Sequence, residues 1–288
     1  MSQTNLGLPP LVESVVHPTD FSPASERAFA HALAIAVLRQ TSLELLHVDK
    51  DKHHGWNQFP HVRATLERWK LLKPGSAQAD VFAELGVRVS KHALSSRFPA
   101  VALQRYLEGS PADLLVVATE GREGLARWLH GSVSEAMARW SKTMTLFVPN
   151  DARRNMVSPA DGSLTLANVL VPVDRSPDPR AAIEFARRVV EIGGDSGVIT
   201  LLHVGAESGM PHVAAAAADG DGWTFRRMFR HGDPVEQILA AADEVEADLI
   251  VMPTAGRAGV FDALRGSTTE RVLRRAPCPV LAVPAPEI

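Results

Sequence analysis

The sequence predicts an α/β protein built twice over: two successive units, each a parallel sheet covered by helices on both faces. Three observations lead there. Landmarks repeat in the same order along the chain: "VVHPTDFSP" (15–23) with "VLVPVDRSP" (169–177), "LELLHV" (43–48) with "ITLLHV" (199–204), "ADLLVVAT" (112–119) with "ADLIVMPT" (247–254), and "TMTLFVP" (143–149) with "CPVLAVP" (278–284). Ordered self-similarity of this kind marks two copies of one unit. Strand signals alternate with helix signals, which is the pattern of parallel strands joined by helical crossovers. Two loops 135 positions apart also share one spacing: Gly121 or Gly256, nine residues, Gly131-Ser132 or Gly266-Ser267, then Glu135 or Glu270.

Each element has a local reason. "SVVHPTD" is a short β-branched run. Ser22 suits a helix N-cap and Pro23 the first helical position. The residues that follow carry an apolar stripe at helical spacing. "SLELLHV" is the next strand. In the second copy, Asp233 caps a helix and Glu236 stands three residues on, as in a capping box. "DLIVM" is a continuous apolar run, as expected of a strand covered on both faces. A chain of 288 residues suits two domains of about 100–200 residues each. The expected divisions are a first domain at 1–150, a polar, turn-rich linker at 151–163 and a second domain at 164–288. Asp20 to Asp174 spans 154 positions but Gly131 to Gly266 only 135, so the first copy holds about twenty extra residues. The surplus falls in or near "DKHHGWNQFPHVRATLERWKLLKPG" (51–75).

Composition narrows the function. Apolar residues make up 45% and charged residues 22%, with a net charge of −3. No strong field therefore draws in nucleic acid or an anionic membrane. Cys278 is the one cysteine, so no disulfide forms within the chain, which fits a reducing compartment. "MSQTNLGLPP" lacks a basic segment followed by an apolar run, and no stretch reaches the roughly 18 apolar residues of a membrane helix. The cytoplasm is the expected location.

In an open parallel sheet, ligands bind outside the carboxyl ends of the strands. Asp20 and Asp174 each follow a first strand, and Gly121 and Gly256 each follow a later one. Gly131-Ser132 and Gly266-Ser267 each open a helix. Bare backbone N–H groups and the positive end of a helix suit a phosphate. The aspartates suit ribose hydroxyls or a magnesium ion. The same residues also have a plainer role. Ser132 to Glu135 and Ser267 to Glu270 read as Ser-x-x-Glu capping boxes, worth about 1 kcal/mol without any ligand.

"HPTDFS", the two "LLHV" strands and "GSTTERVLRRAPCPVLAVP" together resemble the universal stress protein family. The chain looks like a tandem pair of such domains. The resemblance covers nearly all of the second copy, and both ends of the first. It implies a doubly wound sheet of five parallel strands in each half, in the order 3-2-1-4-5. One branch of the family binds ATP through Gly-x2-Gly-x9-Gly-Ser/Thr, while another lacks the pattern and binds no nucleotide. Carried over residue by residue, Asp20 and Asp174 hold the ribose, and the backbones of Val48 and Val204 meet the adenine. Gly121, Gly131 and Ser132 form one phosphate loop, and Gly256, Gly266 and Ser267 the other. The expected ligand is ATP or a related adenine nucleotide, with magnesium as its companion. The first glycine of the pattern is Ala118 in one copy and Pro253 in the other. Proline has no N–H and a fixed φ, so the first copy keeps the pattern better. The resemblance also implies that the two final strands pair antiparallel, so that the chain mimics a family dimer about a pseudo-twofold axis.

The remaining features have modest readings. His47 and His203 occupy equivalent strand positions and read as packing residues. His53, His54 and His61 cluster without a metal-ligand spacing. Trp56, Phe59 and Trp69 read first as a plug onto their own domain, and second as a surface for a further homodimer. "RRMFRH" (226–231) reads as a solvated charged edge. No nucleophile–base motif or lysine-containing phosphate loop is present. The chain therefore reads as a nucleotide-responsive regulator, with a nucleotide-independent interaction protein and a slow ATPase as the alternatives.

Overall fold

A computed structural model describes residues 12–49, 56–119, 143–193, 196–212, 222–254 and 268–285. The first half runs β1 (Ser14–Pro18), α1 (Pro23–Arg39), β2 (Ser42–Asp49), α2 (Val62–Arg68), α3 (Asp80–Leu85), β3 (Arg88–Ser95), α4 (Pro99–Gly109), β4 (Leu114–Thr119) and β5 (Met144–Pro149). The second runs β6 (Asn168–Pro172), α5 (Arg180–Gly193), β7 (Gly197–Val204), β8 (Trp223–Arg230), α6 (Pro234–Glu244), β9 (Leu249–Thr254), α7 (Thr268–Leu273) and β10 (Val280–Pro284).

Helix starts follow local chemistry. Ser22 accepts a hydrogen bond from the Ser25 N–H at 3.2 Å, and Pro23 opens α1. Asp233 accepts from the N–H groups of Val235 and Glu236 at 3.0 and 3.1 Å. Glu236 does not close the capping box. Its carboxylate instead accepts from Arg275, with Nη2 to Oε2 at 2.9 Å, which ties the start of α6 to the segment after α7.

The strands form one ten-stranded sheet in the order β3-β2-β1-β4-β5-β10-β9-β6-β7-β8. Among the described strands every neighbouring pair is parallel except β5–β10, which is antiparallel, with Val280 opposite Phe147, Leu281 opposite Leu146 and Ala282 opposite Thr145. Each half thus contributes five parallel strands, and the halves meet through their last strands. One face is covered by α1, α2 and α5, where Leu33, Leu66 and Phe185 are buried. The other is covered by α4, α6 and α7, where Leu103, Ile238 and Val272 are buried. Continuous apolar strands are the sequence consequence of a sheet buried on both sides.

Two expectations are sharpened. The β2–β3 connection runs over 50–87 and the β7–β8 connection over 205–222, that is 38 residues against 18. The surplus packs inward: Phe59, Leu66 and Trp69 are buried in the first half's core. Phe59 and Trp69 are therefore spent within the chain rather than offered to a second copy. The segment expected as a polar linker is also partly core. Met156 and Val157 are buried, the Trp69 indole donates to the Pro159 carbonyl at 3.1 Å, and the Val157 N–H donates to His31 Nε2 at 3.3 Å.

Burial lowers both His17 and His31 from 6.5 to about 4. The unfolded chain takes up protons on these rings below about pH 6.5, whereas the folded chain does so only near 4. Stability contributed by the neutral rings is complete above pH 6.5 and falls as pH drops toward 4, by on the order of 3 kcal/mol per ring. Denaturant midpoints measured across this window should decline, and His31→Gln should remove about half of the slope. The register of β5 and β10 gives a second expectation. With Cys278→Ala, paired cysteines at positions 146 and 281 should oxidise to a disulfide within one chain, visible as a monomeric mobility shift under non-reducing electrophoresis.

Candidate functional site

In each half the two strands beside the topological switch part toward their carboxyl ends. The β1–β4 ladder pairs Val15 with Leu114 and Val16 with Leu115; the β6–β9 ladder pairs Val169 with Leu249 and Leu170 with Ile250. Beyond these residues two crevices open, where open α/β sheets hold ligands.

In the first half the parting is filled from β1 itself. The His17 ring is fully buried, and its Nδ1–H donates to the Val116 carbonyl at 2.9 Å. Because a carbonyl only accepts, this bond fixes the tautomer, with Nε2 facing the Ser25 hydroxyl at 3.3 Å. Ser25 also lies 2.9 Å from the Thr19 hydroxyl oxygen, which accepts from the Phe21 N–H at 3.1 Å. His47 Nδ1–H donates to the Thr19 carbonyl at 2.7 Å, so β2 and the end of β1 are locked together. Phe21 adopts a left-handed φ of 63°, and its ring stacks on His47 with centroids 4.1 Å apart. Phe59 from the insertion meets Phe21 edge-on at 5.6 Å. This scaffold presents Asp20 at the lip, exposed, with Oδ1 accepting from the Ser22 N–H at 3.0 Å. Val48, half-buried, lies one residue beyond His47 on β2.

The second half repeats the outline with different chemistry. Shifting by 154 positions, Val171, Val173 and Pro179 stand where His17, Thr19 and Ser25 stand in the first. His203 keeps its counterpart's role, its Nδ1–H donating to the Val173 carbonyl at 3.1 Å. Asp174 is exposed, and its Oδ1 accepts from the Arg175 N–H at 2.7 Å. Arg175 replaces Phe21 and reaches the Ser208 carbonyl at 3.2 Å instead of stacking on the histidine. Val204 is half-buried at the end of β7.

Ala118 and Pro253 both lie within strands, opposite Val148 and Val283. The Ile250 N–H donates toward β10, to the Pro279 carbonyl. Since N–H directions alternate along a strand, the Pro253 nitrogen faces the β6 side, beyond the end of that ladder. Proline there costs no sheet hydrogen bond, but it removes a donor from the crevice wall. Gly121, Gly131, Ser132, Gly256, Gly266 and Ser267, with the first capping box, lie outside the described residues. Of the second box, Glu270 lies in α7 and accepts from Arg274 Nη2 at 2.6 Å.

The geometry brings Asp20 and Val48, and likewise Asp174 and Val204, to neighbouring strand ends. It offers hydrogen-bond acceptors at the strand ends. The Ser25–His17 pair is within hydrogen-bond reach but buried beneath α1, with its groups engaged in the scaffold. Among the described residues no three His, Cys, Asp or Glu side chains converge on a metal position; His53 and His54 lie outside them. Sequence reasoning weighed Asp20 within "HPTDFS" but not the buried network that holds it. The signal was the polar His, Thr and Ser at positions an apolar core would otherwise fill.

Phe21 sets two terms against each other. A non-glycine residue in the left-handed region costs about 1–2 kcal/mol, and an aromatic pair returns about 0.5–1.5 kcal/mol beyond its burial. Phe21→Ala keeps the strain and loses the stack, whereas Phe21→Gly loses both. The glycine variant should be the more stable of the two by about 1 kcal/mol in urea denaturation, and the order would reverse were the backbone to relax out of this conformation.

The family model for the Universal stress protein family matches residues 12–149 and 211–284. These segments exceed half of the chain, and the chain belongs to that family. A universal stress protein of Mycolicibacterium smegmatis is 25% identical over 92% of this chain and 94% of its own length. Universal stress protein MJ0531 of Methanocaldococcus jannaschii is 46% identical over 56 residues; that match spans 19% of this chain and a third (33%) of the relative. The crystal structure of a universal stress protein from Archaeoglobus fulgidus superposes with a TM-score of 0.60 at 21% identity, covering 96% of this chain and all of that one. That likeness concerns the fold.

Proposed function

We propose that the chain is a regulatory module that binds an adenine nucleotide at the carboxyl-end crevices, chiefly in the first half. The observation that carries this reading is the built lip around Asp20. A buried polar network and an aromatic stack hold one exposed carboxylate beside a parted strand pair. Preorganised acceptors of this kind bind hydroxyl groups without first having to be ordered. On this reading Asp20 takes the ribose, the backbone of Val48 meets the base, and Gly121, Gly131 and Ser132 cradle the phosphates. A magnesium ion would accompany the phosphates beside Asp20 and supply charge neutralisation.

In the second half, apolar replacements and Pro253 favour a different use. There we propose that Asp174, Val204, Gly256, Gly266 and Ser267 form a weaker site, and that this half serves first as scaffold. The nitrogen facing the crevice at Pro253 has no hydrogen to give. Each half acts as one domain, over 1–150 and 164–288, in the reducing cytoplasm. Among the described residues no helix is long and apolar enough to cross a membrane.

Calorimetric titration with ATP, ADP, AMP and cAMP tests the reading. Gly131→Asp sets a negative charge where phosphate would sit and should abolish the stronger site, while Gly266→Asp should alter only the weaker one. Unchanged affinity in both variants, with the fold intact by circular dichroism, would leave the nucleotide-independent reading in its place.

A further inference from the structure

In each half the third strand leads into a helix on the face of the sheet opposite α1 and α5, and the two copies start that helix differently. Leu114 and Leu249 begin β4 and β9, 135 positions apart. The same shift sets Pro99 against Pro234 and Phe98 against Asp233. Asp233 caps α6, accepting from the Val235 and Glu236 N–H groups at 3.0 and 3.1 Å. Phe98 stands at the same position of α4, and its side chain makes no capping bond. The first copy thus lacks a stabilising cap and carries an apolar ring in its place.

That ring lies in water. Phe98 is 65% exposed, the most of any large apolar side chain among the described residues. Phe82, also exposed, lies under the Arg88 guanidinium at 5.1 Å; among the described residues no ring or cation covers Phe98 in this way. The backbone beneath the ring is fixed. The Ser96 N–H donates to the Asp49 carbonyl at 2.9 Å, one bond beyond the β2–β3 ladder. The Phe98 N–H donates to Ser96 Oγ at 3.0 Å, and the Ser96 hydroxyl donates to the Phe98 carbonyl at 3.2 Å. Phe98 is therefore two residues from a bond to the residue that follows Val48. From there α4 runs back along the sheet, with Leu103 in the same buried cluster as Leu46 of β2. The start of α4 and the end of β2 share one rim of the first crevice.

We propose that Phe98 is the base-stacking residue of the first crevice, its ring covering the adenine whose edge meets the Val48 backbone. The assignment rests on the nucleotide reading of that crevice. A phenyl ring has no hydrogen bond to offer a ribose or a phosphate; it offers a flat face. Bases stack on such faces whatever their edge pattern, and the contact removes exposed apolar area from water. The ring and the Val48 backbone then divide the work: one holds the face of the base, the other reads its edge. The second half lacks this contact. Asp233 has no aromatic face, and its carboxylate is engaged with the start of α6 and with Arg271, Nη1 to Oδ2 at 3.4 Å. Base stacking is thus a property of the first crevice alone among these two positions.

Isothermal titration of the full chain with ATP, and with inorganic tripolyphosphate as a probe that has phosphates but no base, tests the proposal. Phe98→Ala and Phe98→Leu should each weaken ATP binding by about tenfold. Leucine keeps the apolar bulk without the aromatic face, so a loss in both variants assigns the effect to stacking. Phe98→Trp should keep ATP affinity or raise it. All three should leave tripolyphosphate affinity and the circular dichroism spectrum unchanged, because the ring is exposed. If Phe98→Leu binds ATP as the wild type does, or if Phe98→Ala loses ATP and tripolyphosphate equally, stacking by Phe98 is overturned while the nucleotide reading stands. A wild-type chain that binds no ATP overturns both. Sedimentation in which Phe98→Ala disperses a dimer, with ATP affinity unchanged, overturns the proposal in favour of a contact between chains.

Discussion

The antiparallel pairing of β5 with β10 is the contact on which the rest of the molecule depends. A five-stranded sheet ending on an apolar strand exposes a row of unpaired N–H and C=O groups. Here both such edges are consumed by one another. β5 is buried along its whole length and β10 nearly so. The edges that do face outward are different in kind. β3 carries Arg88 and Lys91, and β8 carries Arg226, Arg227 and Arg230, charges that discourage further strand addition. The chain has placed its apolar edges at the centre and its cationic edges at the rims.

That junction explains why the connecting segment is not a free tether. Met156 and Val157 enter the core beside α1, and the insertion between β2 and β3 comes down on the same segment through Trp69 and Pro159. The first half is thereby reinforced by its own insertion. The asymmetry continues into the crevices. His17, Thr19 and Ser25 form a buried polar network that is worth keeping only when fully satisfied, and the second half has replaced all three with apolar residues. The two halves share one frame and fill it with different residues.

Much of this was legible in the chain before folding. The ordered repeat gave the two halves, and the Ser22-Pro23 and Asp233-Pro234 starts gave two helices with their caps, because these signals are local and chemical. The continuous apolar runs gave strands buried on both faces. The polar appearance of residues 151–163 concealed Met156 and Val157, since two apolar residues in a turn-rich stretch carry no periodicity. Glu236 had the right spacing for a capping box, yet Arg275, distant in sequence, offers a stronger partner than a single backbone N–H.

What the sequence determined by itself is the set of short-range decisions: which segments become strands and helices, where helices begin, and that Asp20 and Asp174 occupy equivalent strand ends. What only the tertiary structure decided is which groups face one another. The direction of the Pro253 nitrogen follows from the β9–β10 register. The Phe21–His47 stack follows from a left-handed residue that lacks the usual glycine. Each of these depends on contacts between residues far apart in the chain, and such contacts leave no pattern in the local sequence because many different residues could have met there.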